Sequence, residues 1–103
     1  MNGVPELSLL KLLSKKEMYG YELVKSIQEA SQKIFSFGEG CIYPILHYLG
    51  EDKLVETRSQ VINGRNRIIY KITAKGKQRL TQLSDEWNKI SMGISNIWEA
   101  NKK

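Results

Sequence analysis

The 103-residue sequence predicts a mainly α fold with one small β-hairpin and a long final helix. Three observations carry that prediction. Two β-prone runs flank Asn63-Gly64, a dipeptide whose tolerance of positive φ marks a tight hairpin. Ahead of it lie three apolar runs at helical spacing. Behind it, Leu80, Leu83, Trp87, Ile90, Ile94 and Ile97 recur at alternating steps of three and four, the seam spacing of a coiled coil.

The first helix is expected over residues 5–14, where Pro5 suits an opening turn and Leu7, Leu9, Leu10, Leu12 and Leu13 follow. Lys15 and Lys16 come next, where cations complement a helix C-terminus. The second helix is expected over residues 20–31. Tyr21, Val24, Ile27 and Gln28 keep helical spacing, and Leu23 and Ala30 widen the apolar face. Tyr21 is expected to pack in the core with its hydroxyl outward. Ile34, Phe35 and Phe37 form a short apolar connection to a third helix over residues 39–52. Ile42, Ile45, Leu46 and Leu49 make its core face, leaving Cys41, Tyr43, His47 and Tyr48 to other surfaces. Pro44 is compatible with a helix in its first turn, where a missing N–H leaves no internal bond unmade.

Residues 54–61 and 67–72 form the two strands of the hairpin, with a basic tip between them, and Tyr70 on the second strand is expected to pack inward. Thr73 is an N-cap for a last helix over residues 74–101, roughly 40 Å long at 1.5 Å per residue. A chain this short cannot cover that length with its own core, so the exposed end of the seam calls for a second copy. The alternative is a helix folded back on its own domain. Gly93 is a weak point, costing ~1 kcal/mol against alanine.

Length suits one domain, and a composition with 41% hydrophobic and 26% charged residues is ordinary for a globular protein. No stretch approaches the roughly 18 apolar residues of a membrane span. The segment from Met1 to Pro5 lacks the features of a signal peptide. A soluble, cytoplasmic protein without membrane contact is expected. Cys41 is a single cysteine and His47 a single histidine, which leaves no disulfide framework and no metal cluster of the usual types. Gly38-Glu39-Gly40 lacks the Lys-Ser/Thr of a phosphate loop. No enzyme, cofactor or metal is expected. Net charge is +5, and Arg58, Arg65, Arg67, Lys71, Lys75, Lys77 and Arg79 fall in one span without an acid. Such a stripe is the footprint of a polyanion binder or, alternatively, a solvated basic surface.

Three helices, a hairpin and a further helix are the element order of a winged helix-turn-helix, with the second and third helices as the helix-turn-helix pair. Tyr19-Gly20-Tyr21-Glu22-Leu23 resembles the His-Gly-Tyr-Glu-Leu signature of the PadR family of transcriptional regulators, with tyrosine in place of histidine. The run from Gly40 to Leu49 resembles the family's Gly-Thr-Ile-Tyr-Pro-x-Leu-x-x-Leu recognition helix, with Cys41 in place of threonine. Gly64-Arg65-Asn66-Arg67 and Tyr70-Lys71-Ile72-Thr73 with Gly76 resemble its wing and the stretch after it. The resemblance covers about residues 7–80. It implies a winged-helix DNA-binding domain over residues 1–73 and a dimerisation helix over residues 74–103, together one compact unit. It further implies a homodimeric repressor of a palindromic operator in double-stranded DNA.

The front of the third helix would turn Gly40, Cys41, Tyr43 and Pro44 to the major groove, which admits a helix. A Tyr43 hydroxyl can donate to a phosphate, which sets position rather than reading sequence. For His47 and Tyr48, base contact and a plain surface or core-capping role both stand. Arg65, Asn66 and Arg67 form the wing, where arginine binds phosphates or enters the minor groove, against the alternative of a solvated tip. Lys25 and Lys53 are phosphate contacts or ordinary surface lysines. Leu80, Leu83, Trp87, Ile90, Ile94 and Ile97 are the dimerisation seam, with Trp98 beside it against the partner's first helix.

Resemblance to the short, multidrug-binding members of the family implies a planar aromatic effector stacked on Trp87, between Leu83 and Ile90. Plain interface packing is the alternative for Trp87. A redox role for Cys41 at a helix N-terminus stands against an inert surface thiol. The competing function is a winged-helix protein–protein interaction module without specific DNA binding.

Overall fold

In the computed structural model, which describes residues 3–100, the chain runs α1 (Gly3–Leu13), β1 (Met18–Tyr19), α2 (Gly20–Ala30), α3 (Glu39–Glu51), β2 (Val55–Ile62), β3 (Arg65–Ile72) and α4 (Ala74–Ala100). Met1 and the expected helix end at Asn101 lie outside the described residues. Each of the first three helices buries one stripe: Leu9, Leu10 and Leu13 from α1, Leu23 and Ile27 from α2, and Ile42, Ile45, Leu46 and Leu49 from α3. Leu54, Val55, Ile72 and Leu83 close this core. Each such side chain stabilises the fold by ~1.5–3 kcal/mol relative to leaving it in water.

The stripe on α2 is rotated from the one its sequence suggests. Gly20, Leu23 and Ile27 point inward, and Tyr21 and Ala30 are exposed. Tyr21 stands with Lys25 on the outer face, the ammonium 5.6 Å from the ring centroid. Core packing of Tyr21 is therefore corrected: four residues apart, Tyr21 and Lys25 share a stripe that the Leu23–Ile27 stripe excludes. Tyr70, by contrast, is half-buried against the core.

Pro44 also departs from expectation. It lies in the second turn of α3, where its missing N–H leaves the Gly40 carbonyl without its helical donor. Gly40 is exposed, so water can take that carbonyl, and no Cβ crowds it there.

The sheet has three antiparallel strands in the order β1-β3-β2, not two. β1 pairs Met18 with Tyr70 and Tyr19 with Ile69. Nothing local in a two-residue strand announces it; burial of Met18 in the core and pairing with β3 hold it. The hairpin turns on Asn63 and Gly64, with φ of 51° and 78°, and Ile62 pairs with Arg65 across a two-residue loop. Positive φ at both central positions is the primed turn that matches strand twist. From Glu56 to Asn66 the hairpin is largely exposed and projects from the core as a wing.

Thr73 caps α4, its Oγ1 accepting from the Gly76 N–H at 3.0 Å and donating to the Lys53 carbonyl at 2.7 Å. A Cβ at Gly76 would collide with the Leu54 carbonyl. The start of α4 is thereby docked onto the α3–β2 connection. Farther on, Arg79 pairs with the buried carboxylate of Glu6 at 3.0 Å, tying α4 to α1. Beyond Trp87 every described residue of α4 is exposed, and the molecule measures 61 × 28 × 22 Å. Among the described residues no helix is long and apolar enough to cross a membrane.

Candidate nucleic-acid interface

The burial of Ile42, Ile45, Leu46 and Leu49 forces the opposite stripe of α3 outward. Gly40, Cys41, Tyr43, Pro44, His47 and Tyr48 are all exposed on it. Nothing stands within 4 Å of a Cβ built on Gly38 or Gly40, so the front of the helix is open to a backbone approach. Tyr43 leans against α2, where its ring fills the space that a Cβ on Gly20 would need. Burial pushes the Tyr43 phenol above its ordinary pKa, Glu39 adds to the rise and Arg67 opposes it. The phenol thus stays protonated and can donate at neutral pH. His47 Nε2 lies 3.4 Å from Glu51 one turn on, with both side chains mostly exposed.

The wing stands beside this face. Arg65 and Asn66 are exposed at its tip. Arg67, nearer the root, is half-buried: its guanidinium carbon sits 4.7 Å above the centroid of the Tyr19 ring. A groove of about 770 Å3 lies between α3 and the hairpin, bordered by His47, Gly50, Thr57, Ile68 and Tyr70.

The basic span is less uniform in space than in sequence. Arg58 is paired with Glu17, Lys75 with Asp52 at 3.5 Å, and Arg79 with Glu6. Those carboxylates come from distant parts of the chain, so a count along the span overstates the positive field. Arg65, Arg67 and Lys77 form no ion pair among the described residues. The cations left unneutralised thus include both wing arginines. Lys25 is stacked near Tyr21, and Lys53 borders the groove behind α3.

On α4 the seam divides. Leu83 is 5% exposed and belongs to the core of the chain itself, with Leu80 partly buried against it. Trp87 is half-buried, its ring near Gly3 of α1. Ile90, Met92, Ile94, Ile97 and Trp98 are exposed. The sequence pattern points to the outward residues of α3 and to the wing. Gly20 and Tyr19 are marked in the sequence only by their place in the Tyr-Gly-Tyr-Glu-Leu motif, and their contacts with Tyr43 and Arg67 join separate elements.

Residues 9–82 match the Transcriptional regulator PadR-like family. The chain is 30% identical over 83 residues to an uncharacterized protein X of Lysinibacillus sphaericus, covering 80% of this chain and 76% of that protein. It is 33% identical over 93 residues to the transcriptional regulator YqjI of Escherichia coli, covering 90% of this chain and 44% of YqjI. It thus spans less than half the length of that relative. Among solved structures, smu.1704 of Streptococcus mutans superposes with a TM-score of 0.86 at 32% identity, covering 96% of this chain and 90% of that one. A PadR-like transcriptional regulator of Bacillus cereus gives 0.81 at 32% identity, with 94% and 93% covered.

Proposed function

The chain belongs to the PadR-like family of transcriptional regulators, and we propose that it acts as a homodimeric repressor of a palindromic operator in double-stranded DNA. One observation supports this above the rest: the outward stripe of α3 and the unneutralised arginines of the wing lie on neighbouring elements of one surface. In this reading Gly40, Cys41, Tyr43, Pro44 and His47 meet the major groove, with the Tyr43 hydroxyl donating to a phosphate. Arg65, Asn66 and Arg67 meet the flanking backbone.

The second copy packs along α4. Trp87, Ile90, Ile94, Ile97 and Trp98 supply the apolar surface, and Leu80 and Leu83 support it from within the protomer. Two-fold symmetry then places the recognition helices on half-sites about one helical turn, ~34 Å, apart or at a related spacing. A planar aromatic effector stacked on Trp87, beside Ile90 and over Leu83, releases the operator. Release requires that the effector bind the non-binding arrangement of the dimer more tightly than the binding one.

A mobility shift on the promoter region of the chain's own gene, at two salt concentrations and with a panel of planar aromatic compounds, tests the reading. Specific binding that weakens with salt, and is lost with one of the compounds, is the expected result. Absence of a specific shift at low salt from a confirmed dimer contradicts it and favours a protein–protein interaction module.

A further inference from the structure

Arg67 differs from Arg65 in how it is held. It lies on the wing strand β3 two residues before Ile69, and Ile69 pairs with Tyr19 of β1. That pairing brings the Tyr19 ring under the guanidinium, 4.7 Å from its carbon to the centroid. The Arg67 Nε is buried and has no hydrogen-bond partner among the described residues. A guanidinium stacked on an aromatic face keeps its outer N–H groups free for a planar, two-point contact with an oxyanion. Beside it opens a cleft of about 190 Å3 bordered by Tyr19, Gly20, Tyr43, Asn66 and Arg67. Tyr43 borders the same cleft, and its phenol is a group that can donate there.

We propose that Tyr19, Arg67 and Tyr43 form a preorganised seat for one DNA backbone phosphate at the root of the wing, with Tyr19 as the positioning residue that fixes Arg67. This deepens the DNA-binding reading above and rests on it. The seat takes a phosphodiester rather than a base edge or the minor groove. Arg67 is held at the root by Tyr19, beside the α2 N-terminus and α3, whereas Arg65 at the tip is unrestrained. Holding the side chain in place before contact lowers the ordering cost of binding.

The unaltered chain and its Tyr19→Leu, Tyr19→Phe, Arg67→Ala and Arg67→Lys variants are titrated with two labelled duplexes, one rich in A-tracts and one rich in G·C, across a range of salt. Thermal unfolding of each variant is recorded in parallel. A phosphate contact weakens binding alike on both duplexes and lowers the salt slope by about one on its removal. We expect that loss for Arg67→Ala and Tyr19→Leu, no further loss in the double variant, and recovery with Tyr19→Phe, which keeps the ring. Arg67→Lys keeps a charge but not the stacked fork, and is expected to bind more weakly at an unchanged melting temperature.

Loss confined to the A-tract duplex assigns Arg67 to the minor groove and overturns the seat. An unchanged slope in Tyr19→Leu, or no recovery with Tyr19→Phe, overturns the positioning role. Salt-dependent binding by the unaltered chain that Arg67→Ala leaves intact contradicts the seat alone. No salt-dependent binding by the unaltered chain contradicts the regulator reading and the seat together.

Discussion

At position 20 the α2 backbone carries no side chain, and the Tyr43 ring occupies the room that a Cβ would take. This contact sets the outward tilt of a tyrosine that the proposed function gives a phosphate. Gly20→Ala is therefore expected to lower stability by about 1–3 kcal/mol, the range for overpacking a closed contact, and to weaken DNA binding at the same time. Urea unfolding and a binding titration check both; a change in neither would show that the ring moves aside freely. Tyr43 was legible from the sequence because the core stripe of α3 leaves it no inward position. Its seat on Gly20 was not, because that contact joins two helices.

The same holds for Glu17 and Arg58, forty-one residues apart. The hydrogen bond from Arg58 holds the Glu17 carboxyl below the usual range against the opposing effect of burial, and the charges of Arg58 and Lys71 add to the lowering. A carboxylate with a depressed folded pKa contributes its stabilisation above the unfolded value of about 4.3 and loses it as pH falls through the lowered one. The melting-temperature difference between the unaltered chain and Glu17→Gln should be present at neutral pH and vanish in acid. A difference that grows in acid would reverse the sign of this account.

At the scale of elements, local chemistry and non-local contact divide what the sequence reveals. Asn63-Gly64 predicts the hairpin because the turn needs positive φ at two adjacent residues, and φ there is 51° and 78°. Thr73 predicts the start of α4 because a side-chain oxygen must meet the third helical N–H. Met18–Tyr19 predicts nothing by itself; it is a strand only because β3 lies beside it. The junction of the wing with α4 combines both kinds of information. Gly76 is required by the Leu54 carbonyl pressed against it, and that close approach aims α4 away from the core. Gly76→Ala is expected to destabilise the chain by about 1–3 kcal/mol, read as a lower denaturant midpoint at an unchanged slope. An unchanged midpoint would mean that the junction yields and does not set the direction of α4.

Over the whole molecule, the long dimension of 61 Å reflects a helix that outruns its own core. Its apolar seam is legible in the sequence as a 3-4-3-4-3 pattern, but the point where the seam leaves the protomer is not. That point depends on how far α1 reaches: Leu83 is buried, Trp87 is half-buried beside Gly3, and Ile90 is 51% exposed. Because Ile94 and Ile97 lie outside the core of the single chain, charges there should separate the proposed assembly from folding. Sedimentation of the chain with a duplex from its own promoter, alongside an Ile94→Asp, Ile97→Asp variant, separates dimeric DNA recognition from the alternatives. Two copies of the unaltered chain are expected on each duplex. The variant is expected to remain folded, to sediment as a monomer and to bind the duplex far more weakly. A variant that is monomeric yet binds with undiminished affinity would contradict dimeric recognition, and a dimer that leaves the duplex free at low salt would contradict DNA regulation itself.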